Sequence, residues 1–149
     1  MKLILFTMLT LLTACGESPL LNHKLESNKV TDFRYSESES LKFKKTSYSF
    51  NISWQEGPAL GESRFIMKTW HNDLGTINGP YQDLAMPLNV FLWMPSMGHG
   101  SAPVKLNKIG AGEYEVSNVL FIMGGKWEIK FQLKADNQVF DETVIDLTL

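Results

Sequence analysis

Two thioethers, one imidazole and two glycines fall within seven residues, Met94-Pro95-Ser96-Met97-Gly98-His99-Gly100. Thioether sulfur is a soft, neutral donor that favours Cu(I), and imidazole is a good companion ligand. Neither group has to lose a proton to bind once the imidazole is neutral. Such donors suit an oxidising space outside the cytoplasm, where a thiolate is at risk. Zinc fits the same stretch poorly, because its usual cysteine and carboxylate partners are missing there. Gly98 and Gly100 free the backbone on both sides of His99, and Pro95 stiffens the entry. A blander reading competes. Methionine in a strand is ordinary core filler, the role expected of Met67 and Met86, and Gly-His-Gly can simply turn a corner.

The elements that position this stretch are strands. From residue 41 onward the apolar period is two. Tyr48, Phe50, Ile52 and Trp54 alternate with polar residues. Residues 62–70 form a second strand, with Phe65, Met67 and Thr69 on one face. Residues 71–86, with Gly75, Gly79 and Pro80, have no period and read as a long loop. Leu88, Val90, Leu92 and Met94 alternate with Asn89, Phe91 and Trp93, and two largely apolar faces predict a central strand. Val104, Leu106 and Ile109 mark the next strand, followed by a turn at Gly110-Ala111-Gly112. The apolar parity then changes, from Tyr114 and Val116 to Val119, Phe121 and Met123, which predicts a bulge at Ser117-Asn118. Gly124-Gly125 and Asp136-Asn137 read as two-residue hairpin turns. Trp127, Ile129, Phe131 and Leu133 give the cleanest alternation, and residues 139–149 close the domain. About seven strands without a helix predict an immunoglobulin-like antiparallel β-sandwich over residues 41–149.

Antiparallel succession puts alternate loops at opposite ends of such a sandwich. Met94, Met97, His99 and Met123 are therefore expected at one end, and they are the candidate metal ligands. His71 falls at the other end and is expected to be solvated or to cap the loop.

The N-terminus bears on location. Lys2 precedes an apolar run, residues 3–12, which is too short to span a bilayer comfortably. Leu12-Thr13-Ala14-Cys15 resembles the lipoprotein box of bacteria, in which the cysteine is lipidated and becomes the new N-terminus. Residues 1–14 then read as a lipoprotein signal peptide. Residues 15–40 read as the lipidated Cys15 plus a polar tether with an r.m.s. reach of about 25–30 Å. Leu20, Leu21, Phe33 and Tyr35 offer the pattern of a short docked strand within that tether, and His23 lies there as a solvated side chain. Cys15 is the one cysteine, which excludes an intrachain disulfide. Gly16 after it lacks the acidic character of an inner-membrane retention signal, which favours the outer membrane in a cell with two. The expected location is extracytoplasmic, on the periplasmic face or the cell surface. A formal charge of −2 and the absence of a basic run argue against nucleic-acid binding.

The residues Leu92-Trp93-Met94-Pro95-Ser96-Met97-Gly98-His99-Gly100, then Gly112-Glu113-Tyr114, then Met123-Gly124-Gly125-Lys126-Trp127-Glu128-Ile129 resemble the YtkA-like/FixH-like extracytoplasmic domain family. The resemblance implies an immunoglobulin-like sandwich and a link to copper handling or to the assembly of copper-containing respiratory oxidases. Its partners would be a copper-receiving respiratory enzyme or the assembly factors of one. Members often carry His immediately before the second-motif Met, where this chain has Ile122. The alternative is a metal-free interaction module on a lipid anchor, with Trp93, Met97 and Phe121 as exposed apolar anchors. An enzyme is not expected, since there is no Gly-rich phosphate loop, no H-E-x-x-H and no nucleophile elbow.

Overall fold

The computed structural model describes residues 32–33 and 39–149. The signal-peptide and Cys15 readings, His23, Leu20, Leu21 and Tyr35 lie outside the described residues. The chain folds as the expected all-β, immunoglobulin-like sandwich. Its strands are β1 (Asp32–Phe33), β2 (Leu41–Lys42), β3 (Tyr48–Glu56), β4 (Gly61–His71), β5 (Leu88–Met94), β6 (His99–Gly100), β7 (Lys105–Gly110), β8 (Glu113–Phe121), β9 (Lys126–Ala135) and β10 (Gln138–Thr148). Seven of these have six residues or more, matching the alternating runs in the sequence. One sheet has the order β1-β10-β9-β5-β6 and the other β2-β3-β4-β8-β7, with antiparallel pairing throughout. Strands β3, β4, β8 and β7 thus take the A, B, E and D places of an immunoglobulin sandwich, and β10, β9, β5 and β6 take G, F, C and C′.

Inward residues of both sheets meet in one core. Phe50, Ile52, Phe65, Met67, Val116, Val119 and Phe121 face Leu92, Trp127, Ile129, Phe131, Leu133, Ile145 and Leu147. Phe131 lies 4.8 Å from Phe50 and 6.1 Å from Phe65 by ring centroids, which ties the two layers together. The predicted bulge is present. Ser63 pairs with Val119 but Phe65 with Val116, so β8 carries one extra residue, and Asn118 sits at φ 57°. This shift turns both Val116 and Val119 inward.

Several expectations change. Strand β5 is not central along its length. It pairs with β9 from Leu88 to Trp93 but with β6 only at Trp93 and Met94, so its second edge is covered only beside the loop. Its half-buried outer face reflects an edge that still packs apolar side chains. Strand β7 is almost entirely exposed. Leu106 and Ile109 project from the sheet edge, and only Val104, just before it, packs on the core. Gly124-Gly125 is not a hairpin turn, because β8 and β9 belong to different sheets. Phe121 and Trp127 both point inward, in T-shaped contact at 5.6 Å, so the chain must cross the rim of the core between them. Asp136-Asn137 is the hairpin expected, with both residues at positive φ as a primed turn requires. Phe33 lies in a docked strand at the edge of β10, as its pattern allows.

The seam on the β10 side is closed by a buried carboxylate that the sequence does not advertise. Asp141 accepts the backbone N–H groups of Lys44, Lys45 and Thr46 at 3.1, 2.6 and 2.9 Å, and that of Glu142 at 2.9 Å. Thr143 donates its hydroxyl to Lys42 O at 2.7 Å. The turn between β2 and β3 is thereby stitched across the outer edge of β10, which protects an open strand.

Candidate soft-donor site at one end of the sandwich

The loop between β5 and β6 is a tight hairpin. Met94 O accepts from Met97 N–H at 3.1 Å and from Gly98 N–H at 3.0 Å, and Gly98 adopts φ 65°. Pro95 presets the first corner position and Gly98 supplies the left-handed residue that returns the chain to β6. The tip holds Met97 out in solvent, 55% exposed.

His99 lies directly opposite Met94 in the β5–β6 ladder. Cross-strand partners project to the same face of an antiparallel pair. Met94 is only 4% exposed and belongs to the core, so His99 shares the inward face at the rim, where it is half-buried. Its Nδ1 lies 2.9 Å from Gly100 O. A carbonyl can only accept, so this contact holds the proton on Nδ1 and leaves the Nε2 lone pair available. Orientation of one ring nitrogen by a backbone carbonyl is the usual support for a metal-binding histidine.

The crossing between β8 and β9 brings the fourth residue. Met123 is half-buried against the core, and its carbonyl accepts the Trp127 indole N–H at 2.9 Å. Gly125 sits at φ 129°, and a Cβ there would lie 2.7 Å from Met94 Cε. Met94 therefore reaches beneath this crossing and links the two loops. The C-terminus locks the same corner, since Gly125 N–H donates to Leu149 O at 2.8 Å and Leu149 N–H to Gly125 O at 3.1 Å. After β6 the chain is pinned to β8 by Ser101 Oγ on Leu120 O and by Asn118 Nδ2 on Pro103 O at 2.7 Å.

The arrangement brings Met94, Met97, His99 and Met123 to one end of the domain, in a gradient from buried Met94 to exposed Met97. His71 is at the opposite end, paired with Tyr48 across β3 and β4, edge-on to its ring at 5.3 Å and 3.6 Å from Asp73. Among the described residues no three His, Cys, Asp or Glu side chains gather as a hard-donor site. Beside the soft end Lys126 pairs with Asp146 at 3.6 Å.

Phe121 is excluded as an exposed anchor: it is fully buried, because the β8 bulge turns it onto Trp127. Two residues not singled out as anchors are exposed at this end instead, Leu60 (38%) and Ile122 (51%). Gly61 pairs with Phe121, so Leu60 and Ile122 flank the same rung. Ile122 was recoverable from parity, since it falls between the inward Phe121 and Met123.

The groups with displaced acidities lie at the other end. Lys108 holds the Asp83 carboxyl below its ordinary range, helped by Gly112 N–H at 2.8 Å. Burial pushes the Tyr114 phenol up. Gly112 and Tyr114, part of the motif, anchor the long loop: Gly112 N–H donates to Asp83 Oδ1 at 2.8 Å, and Tyr114 OH accepts Leu84 N–H at 3.4 Å.

The fold and the site together define an immunoglobulin-like sandwich with thioether and imidazole donors at one end. Comparison with known proteins finds no matching family model, no matching curated protein and no matching solved structure. The family resemblance therefore rests on the motif residues alone.

Proposed function

We propose that this is a lipid-anchored extracytoplasmic protein that binds copper as Cu(I) through Met97, His99 and Met123, with Met94 beneath them. It would buffer the ion or deliver it to a receiving protein, such as a respiratory oxidase under assembly. One observation supports the reading: four soft or borderline donors lie at one end of the sandwich, Met94 and His99 as cross-strand partners, with His99 Nδ1 held on Gly100 O. The donor set is neutral and matches Cu(I) in softness. Met94 gives the set a fixed floor, because its side chain is packed in the core and under Gly125. Met97 stands on the solvent side of a hairpin tip, the donor that an acceptor protein meets first. Ile122 removes the imidazole that relatives of the suggested family often offer, so the set is one donor short of theirs.

A second reading keeps the same end and omits the metal. Leu60, Met97 and Ile122 are exposed apolar side chains, as an interaction module requires. Melting curves of a Cys15→Ser chain under anaerobic conditions separate the two. A ligand that binds only the native state raises the midpoint, by the equivalent of about 2.7 kcal/mol at a hundredfold excess over Kd. A raised midpoint with Cu(I) is expected, and no change at saturating Cu(I) favours the module.

A further inference from the structure

We infer that Met97 is a methionine-sulfoxide site, and that its oxidation by a peroxide turns off copper binding at this end of the sandwich. The inference rests on the Cu(I) reading, because it assigns a regulation to that same site. The thioethers differ sharply in reach. Met97 is 55% exposed at the tip of the turn between β5 and β6, whereas Met94 is 4% and Met67 0% exposed. Met86 and Met123 are half-buried. A dissolved oxidant attacks thioether sulfur according to its exposure, so Met97 is the first of the described methionines to react. The step is a two-electron oxidation. A sulfur lone pair attacks one peroxide oxygen, an S–O bond forms and the O–O bond breaks. The proton of the transferred hydroxyl passes to the departing hydroxide, which leaves as water. Sulfur is oxidised to the sulfoxide and the peroxide is reduced.

The product keeps the turn and loses the ligand. Backbone groups hold the turn: Met97 N–H and Gly98 N–H donate to Met94 O at 3.1 and 3.0 Å. The Met97 side chain takes no part in those bonds, so a polar sulfoxide in solvent costs the fold little. It costs the site a soft donor. The sulfur now carries an oxygen atom, a harder ligand than the thioether that Cu(I) favours. Burial makes the response ordered. A sulfoxide at Met94 would place a polar group in the core under Gly125, and burial shields Met94 from that fate. Mild oxidation therefore removes the solvent-side donor while the floor of the site and the fold persist. An exposed sulfoxide is also open to the two reductases that act on its epimers, which makes the change reversible.

The test treats the Cys15→Ser chain with hydrogen peroxide until it carries on average one added oxygen, removes the excess with catalase, and locates the oxygen by peptide mass. Cu(I) affinity is then measured anaerobically against a competing chelator, beside Met97→Leu treated in the same way. Met97 should take up oxygen at least about tenfold faster than Met94 and Met67. The oxidised chain should bind Cu(I) about tenfold more weakly, at the level of untreated Met97→Leu, and peroxide should not weaken Met97→Leu further. Treatment with both sulfoxide reductases should restore the parent affinity. Oxidation of Met94 or Met67 as fast as Met97, or an oxidised chain that binds Cu(I) as the parent does, overturns the inference and leaves the copper reading standing. An untreated parent that does not bind Cu(I) overturns the copper reading, and the inference with it, even where Met97 is oxidised first.

Discussion

Gly125→Ala tests the packing that joins the two loops of the candidate site. Two costs are expected. Gly125 sits at φ 129°, a region L side chains rarely adopt, and holding alanine there costs about 1–3 kcal/mol. The new Cβ would also lie 2.7 Å from Met94 Cε. That atom is the free end of a flexible side chain, so it can swing aside at a cost of about 1 kcal/mol in packing. Together these reach roughly 2–4 kcal/mol. Residues 39–149 lose about 0.23 kcal/mol per kelvin of entropy on folding, so the midpoint should fall by about 9–17 °C. Met94→Leu separates the two costs. Leucine keeps the volume but lacks the terminal methyl that the new Cβ would meet, so the backbone cost remains and the packing cost disappears. In that background Gly125→Ala should be milder by about 1 kcal/mol, measured by urea unfolding of all four chains. A Gly125→Ala midpoint within about 2 °C of the parent refutes the strain argument. Equal costs in both backgrounds refute the proposed contact between Met94 and this crossing.

Asp141→Ala removes the acceptor for three backbone N–H groups of the turn between β2 and β3 and should destabilise the domain by about 2–4 kcal/mol in denaturant titrations. A loss under about 0.5 kcal/mol would show that the turn is held by something else. Lys108 and Gly112 N–H hold the Asp83 carboxyl below its ordinary range, so its contribution is present above the unfolded value near ~3.9 and is lost as pH falls through the lower folded value. Melting midpoints of parent and Asp83→Asn should accordingly differ at neutral pH and converge in acid, and a gap that widens in acid contradicts the sign. Trp127→Phe deletes the indole donor to Met123 O and should cost about 1 kcal/mol beyond the packing change, with weaker Cu(I) binding if Met123 is a ligand.

The fold was legible because both sheets bury one face, which writes period two into β3, β4, β9 and β10. The β8 bulge was legible for the same reason, as a change of parity between Val116 and Val119. Pairing partners were less legible. Gly124-Gly125 carries the composition of a hairpin, but only Gly125 uses positive φ, and the sheet crossing is set by the Phe121–Trp127 contact. The placement of Met94, Met97, His99 and Met123 at one end survives this correction, since a hairpin and a crossing both reverse the chain. Burial was misjudged at Phe121, whose inward face follows from the bulge, and at β5, whose apolar outer face belongs to an edge. The Asp141 clamp was not legible at all. It joins residues about a hundred positions apart through backbone donors, which carry no side-chain signature.

The copper reading stands or falls on one titration. A Cys15→Ser chain is titrated with Cu(I) against a competing chelator of known affinity, beside the same chain carrying Met97→Ala and His99→Ala. The parent should take one equivalent, and the double variant, with two donors removed, should bind at least about tenfold more weakly, equivalent to ~1.4 kcal/mol. Matching circular dichroism and melting midpoints in the apo state would exclude unfolding as the cause. Equal affinity of the two chains, or no competition by the parent, would contradict the assignment of this end of the sandwich as a copper site.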